Sequence, residues 1–201
     1  MAKNVVFDIG GVLAEYRIME FLGEKGFDPP RIKRILKASV MSPYWGKFER
    51  DEITEDEALA GFAAQDPELE EDLRKAFSNV EGMLVEHPSA IPLLQKLKQN
   101  GCKVWYLSNY SRKAYDECGA SLSFMPLMDG GILSFQTGKT KPDPGMYRLF
   151  LDRFHLAAED CVFVDDTAEN VEAAKALGFR GIVFRGFEEL KKELEGELEG
   201  R

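Results

Sequence analysis

Three short apolar runs each end in side chains that can do chemistry: Val5-Val6-Phe7 before Asp8, Val104-Trp105-Tyr106-Leu107 before Ser108, and Val162-Phe163-Val164 before Asp165 and Asp166. Asp8 is followed by Gly10-Gly11, where the backbone can turn tightly and come close to a ligand, so its carboxylate is placed to attack one. An aspartate that attacks a phosphoryl group forms an aspartyl-phosphate, which divides one hard hydrolysis into two displacements. Like charges oppose that attack, and a divalent cation with fixed donors must offset the repulsion. Asp8, Asp165 and Asp166 are the hard oxygen donors that suit Mg2+. Ser108 and Asn109 can donate hydrogen bonds to phosphoryl oxygens, and Lys141 in Lys141-Pro142-Asp143-Pro144 carries a point charge on a loop stiffened by two prolines. Lys139 competes with Lys141, but it follows the flexible Gly138, whereas Pro142 adjoins Lys141.

Residues so far apart in the chain need a frame that gathers them. Apolar runs without polar alternation read as strands buried on both faces, hence as a parallel sheet covered by helices. The carboxyl ends of parallel strands share one edge, and ligands of open α/β sheets bind in the crevice outside it. Helices are expected at 89–99, where Ile91, Leu94 and Leu97 keep helical spacing and Gly101 is the stop, and at 170–177 before Gly178. The run Ile182-Val183-Phe184 then reads as a further strand. The segment 15–86 shows no strand-like run and reads as short amphipathic helices divided by Gly26, Asp28-Pro29-Pro30, Ser42-Pro43 and Asp66-Pro67. Within it, Thr54 and Glu57 predict a capping box for a helix through Phe62. The expected organisation is an α/β core, 1–14 and 87–201, with a helical cap, 15–86, inserted after the first strand. The Glu- and Lys-rich stretch 188–201 is read as a solvated helix that frays at its end.

A net charge of −9 disfavours a nucleic-acid partner, which needs a basic surface for its phosphates, and points to a small-molecule substrate. No run reaches membrane-spanning length and no secretory leader pattern follows Met1, so a soluble, cytoplasmic protein is expected. Cys102, Cys118 and Cys161 are widely spaced and suggest neither disulfides nor zinc; Cys102 and Cys161 are read as buried residues opening strands. His87 and His155 have no spaced partners and are expected on the surface or in loops. Tyr44, Trp45 and Phe48 are read first as the core of the helical segment and second as pocket lining. Tyr16 and Arg112 lie near motif ends and are candidates for substrate contact.

Four motifs, Phe7-Asp8-Ile9-Gly10-Gly11-Val12-Leu13, Leu107-Ser108-Asn109, Lys141-Pro142-Asp143-Pro144 and Val164-Asp165-Asp166-Thr167-Ala168-Glu169-Asn170, resemble the ordered motifs of the haloacid dehalogenase superfamily. The resemblance implies a Rossmann-like core, a helical cap, and Mg2+-dependent phosphoryl transfer to a small phosphorylated metabolite through an aspartyl-phosphate. It implies Asp8 as nucleophile and metal ligand, and Ser108, with Asn109 and the Gly11 backbone, as phosphate contacts. It further implies Lys141 as the cation between nucleophile and phosphate, and Asp165 with Asp166 as metal ligands. Asp166 has a second reading as the cap of the helix that carries Asn170. The segment Trp45-x-x-Phe48-Glu49-Arg50-x-Glu52-Ile53 resembles the cap of sugar-phosphate phosphatases and of the phosphatase-like domain of epoxide hydrolases. One position departs from the pattern: Gly10 stands where most of the family's phosphatases carry a second aspartate as general acid and base. Such a group is worth about 10²–10⁴ in rate. Ordinary alkyl phosphates are therefore expected to be poor substrates, although the Gly10 carbonyl can still ligate the metal. Two rival readings are a 2-haloacid dehalogenase, which needs neither that acid nor a metal, and a phospho-ligand-binding protein without turnover.

Overall fold

The computed structural model describes residues 3–199. In chain order its strands are β1 (Asn4–Phe7), β2 (Ala14–Tyr16), β3 (Leu84–Glu86), β4 (Lys103–Ser108), β5 (Gly130–Leu133), β6 (Cys161–Asp165) and β7 (Arg180–Val183). The helices are α1 (Ile18–Glu24), α2 (Pro29–Ala38), α3 (Pro43–Glu49), α4 (Glu55–Gln65), α5 (Glu70–Phe77), α6 (Ala90–Gln99), α7 (Arg112–Cys118), α8 (Pro144–Phe154), α9 (Ala168–Lys175) and α10 (Phe187–Glu199). Five strands form one parallel sheet in the order β5-β4-β1-β6-β7.

The central strand shows why its run has no polar alternation. Val5 and Phe7 belong to one apolar layer with Leu94, Leu97, Leu190 and Leu194, whereas Val6 belongs to the other with Tyr147, Phe150 and Phe163. Both faces of the sheet are thus covered, as an α/β fold requires. Register then gathers the reactive residues. Phe7 lies opposite Tyr106 on one side and Val164 on the other, so Asp8 comes level with Leu107 and Asp165, with Ser108 one residue further along β4. The Asp8 N–H donates to the Val164 carbonyl at 2.9 Å and continues the ladder to the sheet's edge.

Two features depart from the sequence expectations, and one strand falls where they have none. The segment 15–86 does not lack strands: β2 and β3, where the chain leaves and re-enters the core, pair antiparallel, with Tyr16 opposite Leu84. The edge strand β5 pairs with β4 although Gly130-Gly131 leaves it almost no apolar run. The C-terminal helix is docked rather than solvated, because Phe187, Leu190 and Leu194 form one buried stripe of α10. Residues 200 and 201 lie outside the described residues. Cys102 is half-buried and precedes β4, while Cys161 is buried and opens β6.

Helices α1–α5 lie between β2 and β3 as a helical insert. Its centre is aromatic: Trp45 lies 6.0 Å from both Phe62 and Phe77, and those two rings are 5.8 Å apart. The Thr54–Glu57 capping box is present and starts α4, which runs on to Gln65. Two ion pairs fasten the insert to α7, Lys113 to Glu55 at 2.9 Å and Arg112 to Asp51 at 2.8 Å.

Candidate active site

At the carboxyl edge of the sheet, the wholly buried Lys141 ammonium lies 2.8 Å from Asp8 Oδ2 and 2.6 Å from Asp165 Oδ2. An ammonium can be buried only if paired, and here two strand ends supply the pairing. Burial alone would lower the Lys141 pKa; the facing Asp8 and Asp165 carboxylates more than reverse that and hold it above the ordinary lysine value. For Asp8 burial wins the other way, raising its pKa against the pull of Lys141. The backbone of Lys141 is clamped by Asn109, whose Oδ1 accepts from the Lys141 N–H at 2.7 Å and whose Nδ2 donates to the Lys141 carbonyl at 3.0 Å. The Asn109 side chain is thereby engaged in positioning the lysine loop. Lys139 lies instead beside Gly145 at the start of α8.

Asp165 is fully buried and its Oδ1 accepts from the Thr167 N–H at 2.8 Å and from Asn170 Nδ2 at 3.1 Å. Asp166 does not cap α9: the N-cap position is Thr167, with no side-chain cap bond, and Asp166 is exposed toward the cavity outside the strand ends. One carboxylate oxygen from each of Asp8, Asp165 and Asp166 lies within 4.8 Å of the other two. Three carboxylates against one ammonium leave the cluster short of positive charge, and their hard oxygens fit Mg2+. Gly11 completes the arrangement: its φ is +76°, and a Cβ there would run into the Asp166 carboxylate. Gly10 differs, since a Cβ on it would meet only Leu84 Cδ2, at an ordinary 3.6 Å.

A cavity of about 290 Å³ opens over this edge, lined from the core, the insert and the β2–β3 ribbon. Asp8, Gly10, Gly11, Ser108, Lys141 and Asp166 come from the core, while Val40, Trp45 and Glu49 come from the insert, with Tyr16 and Leu84 from the β2–β3 ribbon. Trp45 therefore serves both uses foreseen for the aromatic cluster, whereas the Tyr44 ring covers Gly61 inside the insert. Among the other sequence candidates, Tyr16 reaches the cavity and Arg112 is held by Asp51. His87 stacks on Phe187 at 4.3 Å, and His155 ends α8 in the left-handed region with φ of 54°.

A family model for haloacid dehalogenase-like hydrolases matches residues 2–178. The chain belongs to that family. This haloacid dehalogenase-like hydrolase is 28% identical over 180 residues to the sesquiterpene phosphatase astK of Aspergillus oryzae, covering 90% of this chain and 88% of that protein. It is 29% identical over 197 residues to the drimenol cyclase drtB of Aspergillus calidoustus, covering 96% of this chain but only 36% of the cyclase. Among solved structures, a family member from Bacteroides thetaiotaomicron in complex with magnesium and inorganic phosphate shares the fold with a TM-score of 0.73. The two are 20% identical, and 94% of this chain and 99% of that one are covered.

Sequence reasoning gave no role to three polar residues that line this hydrolase's cavity, Glu49, Tyr110 and Ser111, and the first of them bears on the chemistry. Glu49, the last residue of α3, receives the Trp45 indole N–H on Oε1 at 3.0 Å, and its backbone carbonyl accepts from Ser134 Oγ at 2.6 Å. The readable signal was a carboxylate four residues after a tryptophan, on one face of a helix. Burial pushes the Glu49 carboxyl up to about 7; the Trp45 bond and the Lys141 and Arg50 charges oppose this, and the Asp8 charge adds to it. A raised folded-state pKa favours folding at low pH, and that contribution fades as pH climbs from the ordinary value of 4.5 through about 7. Glu49→Gln is therefore expected to remove part of the decline in stability between those pH values, so that its melting temperature gains on wild type up to about pH 7 and the difference then levels. Thermal melts of both proteins across that range check it; parallel curves would show that Glu49 keeps its proton no longer than an exposed glutamate.

Proposed function

We propose that this hydrolase is a Mg2+-dependent phosphatase of a small phosphorylated metabolite, working through an aspartyl-phosphate at Asp8. The observation that carries the reading is the buried Lys141 between Asp8 and Asp165 beside the third carboxylate, Asp166. A buried cation and a carboxylate cluster short of positive charge together suit a bound phosphate dianion and a divalent ion. Asp8, Asp165, Asp166 and the Gly10 carbonyl would hold the ion, which when bound supplies positive charge to the reacting phosphoryl group. Lys141 holds Asp8 in place and offsets the charge that gathers on the phosphoryl oxygens. Ser108 and the Gly11 backbone, which line the cavity, bind those oxygens. Asp8 then attacks phosphorus, the bond to the leaving oxygen breaks, and water cleaves the aspartyl-phosphate in a second displacement. In this reading 15–86 is a cap over the core formed by 1–14 and 87–201, excluding water and choosing the substrate. The relative named as a sesquiterpene phosphatase and the Bacteroides protein seen with magnesium and phosphate support the reaction class.

A panel of phosphorylated metabolites assayed with Mg2+ and with EDTA tests the reading; hydrolysis that EDTA leaves unchanged would contradict it. A binding readout is independent of turnover. Bound cation relieves carboxylate repulsion and stabilises the fold by mass action, so the melting temperature is expected to rise with Mg2+ in wild type and much less in Asp165→Ala. Equal, flat responses would count against the site.

A further inference from the structure

Gly10 leaves the phosphatase reading without a proton donor for the leaving group, and the cavity contains a replacement. Attacking and leaving oxygens stand roughly in line across a phosphoryl group in transfer. With Asp8 attacking from the end of β1, the leaving oxygen points away from the strand end, toward the residues that the insert contributes to the cavity. Those are Val40, Trp45, Glu49 and Met83, of which Glu49 alone carries a titratable group; Tyr16 of β2, beside them, offers only a phenol whose pKa burial raises further. The Trp45 indole donates to Oε1 and leaves Oε2 unpartnered among the described residues. Ser134 at the end of β5 pins the Glu49 backbone, so a helix end of the insert is tied directly to the core edge. Arg50, next in sequence, turns Nε and Nη2 onto Glu52 at 2.7 and 3.0 Å, and among the described residues it forms no ion pair with Glu49. Gly10 gives up the space a second aspartate would fill, and a Cβ there would touch Leu84, which lines the same cavity.

We infer that Glu49 is the general acid and base of this site, donating a proton to the leaving oxygen and later taking one from water. The inference rests on the phosphatase reading. In the first half, Asp8 Oδ bonds to phosphorus, the P–O bond to the leaving group breaks with its electron pair on oxygen, and the Glu49 proton neutralises that oxygen. In the second, the Glu49 carboxylate takes a proton from water as the water oxygen attacks phosphorus; the bond to Asp8 breaks, its electron pair returns to the carboxylate, and phosphate leaves. The groups acting on Glu49 are Asp8, Lys141, Arg50 and the Trp45 N–H, with the Tyr16 hydroxyl beyond them. Their balance under burial puts its pKa at about 7, where both forms are populated and one residue can serve both halves.

The test is the dependence of aspartyl-phosphate formation on leaving-group acidity, measured by rapid quench with p-nitrophenyl, phenyl and simple alkyl phosphates in wild type and Glu49→Gln. Glutamine can keep the Trp45 bond through its carbonyl oxygen. The expected result is a shallow dependence in wild type and a steep one in the variant, with alkyl esters slowed about 10²–10⁴-fold and the p-nitrophenyl ester only a few-fold. The decline of wild-type kcat/KM above about pH 7 should vanish in the variant. A uniform slowing of all three esters, or an unchanged dependence, overturns the assignment of Glu49. Failure of the underlying reading looks different: hydrolysis by Asp8→Asn, or no Mg2+-dependent hydrolysis of any ester by wild type.

Discussion

Asp8→Asn is expected to lower turnover by about 10⁴-fold or more while leaving the fold intact, because it removes the attacking charge and changes little else. The Asp8 carboxylate is buried, and burial has already raised its pKa, so the folded protein loses no well-solvated charge when it is replaced. Lys141 keeps Asp165 at 2.6 Å, and its charge is not orphaned. The Ile9 N–H, which Asp8 Oδ1 accepts at 2.8 Å, finds the same acceptor in the asparagine carbonyl. Steady-state kinetics on the best substrate of the panel, with circular dichroism and a thermal melt as fold controls, check it. Activity above a tenth of wild type would remove Asp8 from the nucleophile's role.

Lys141→Met should do more harm to the fold than any other single change at the site. Methionine fills a similar volume, but it leaves Asp8 and Asp165 facing each other in a buried space with their shared cation gone. Breaking a buried pair by removing one partner costs about 3–5 kcal/mol, equivalent to a fall of order 10 °C in melting temperature for a chain of this size. The fall should shrink at low pH, where protonation discharges an unpaired carboxylate, and in high Mg2+, which supplies another counter-charge. Melts at pH 5 and pH 8, with and without Mg2+, check both; a loss independent of pH and of the ion would mean that packing, not charge, is what Lys141 contributes.

The sheet's core and the reactive edge were readable for one physical reason. Strands β1, β4 and β6 are buried on both faces, so their sequences are unbroken apolar runs, and the residues that end them must share an edge. Lys141, preferred to Lys139 for its adjoining proline, is the lysine that lies between Asp8 and Asp165. What the chain concealed lies where burial is one-sided or supplied by a neighbour. Gly130 and Gly131 give β5 no apolar signature; a Cβ on Gly131 would strike the Tyr106 carbonyl, so the close approach to β4 that demands glycine also erases the pattern. The ribbon of β2 and β3 has three residues on each side, too few for a period to show. In α10 the buried stripe of Phe187, Leu190 and Leu194 is diluted by glutamates that face water. Asp166 looked like a helix cap because it precedes a helix, yet the helix begins one residue later and the carboxylate turns to the cavity. Glu49 was hidden most deeply. A glutamate on a short helix is ordinarily solvent-facing, and only the docking of the insert against the strand ends turns this one, half-buried, into the cavity.

The proposed reaction requires a covalent bond between Asp8 and the phosphoryl group. Acid quench within the first turnover on p-nitrophenyl phosphate, followed by digestion at low pH and mass spectrometry, measures it directly. The expected result is a peptide containing Asp8 that is heavier by one HPO3 unit and is missing from Asp8→Asn. Turnover without any phosphorylated peptide, or the phosphoryl group on a different residue, would contradict it.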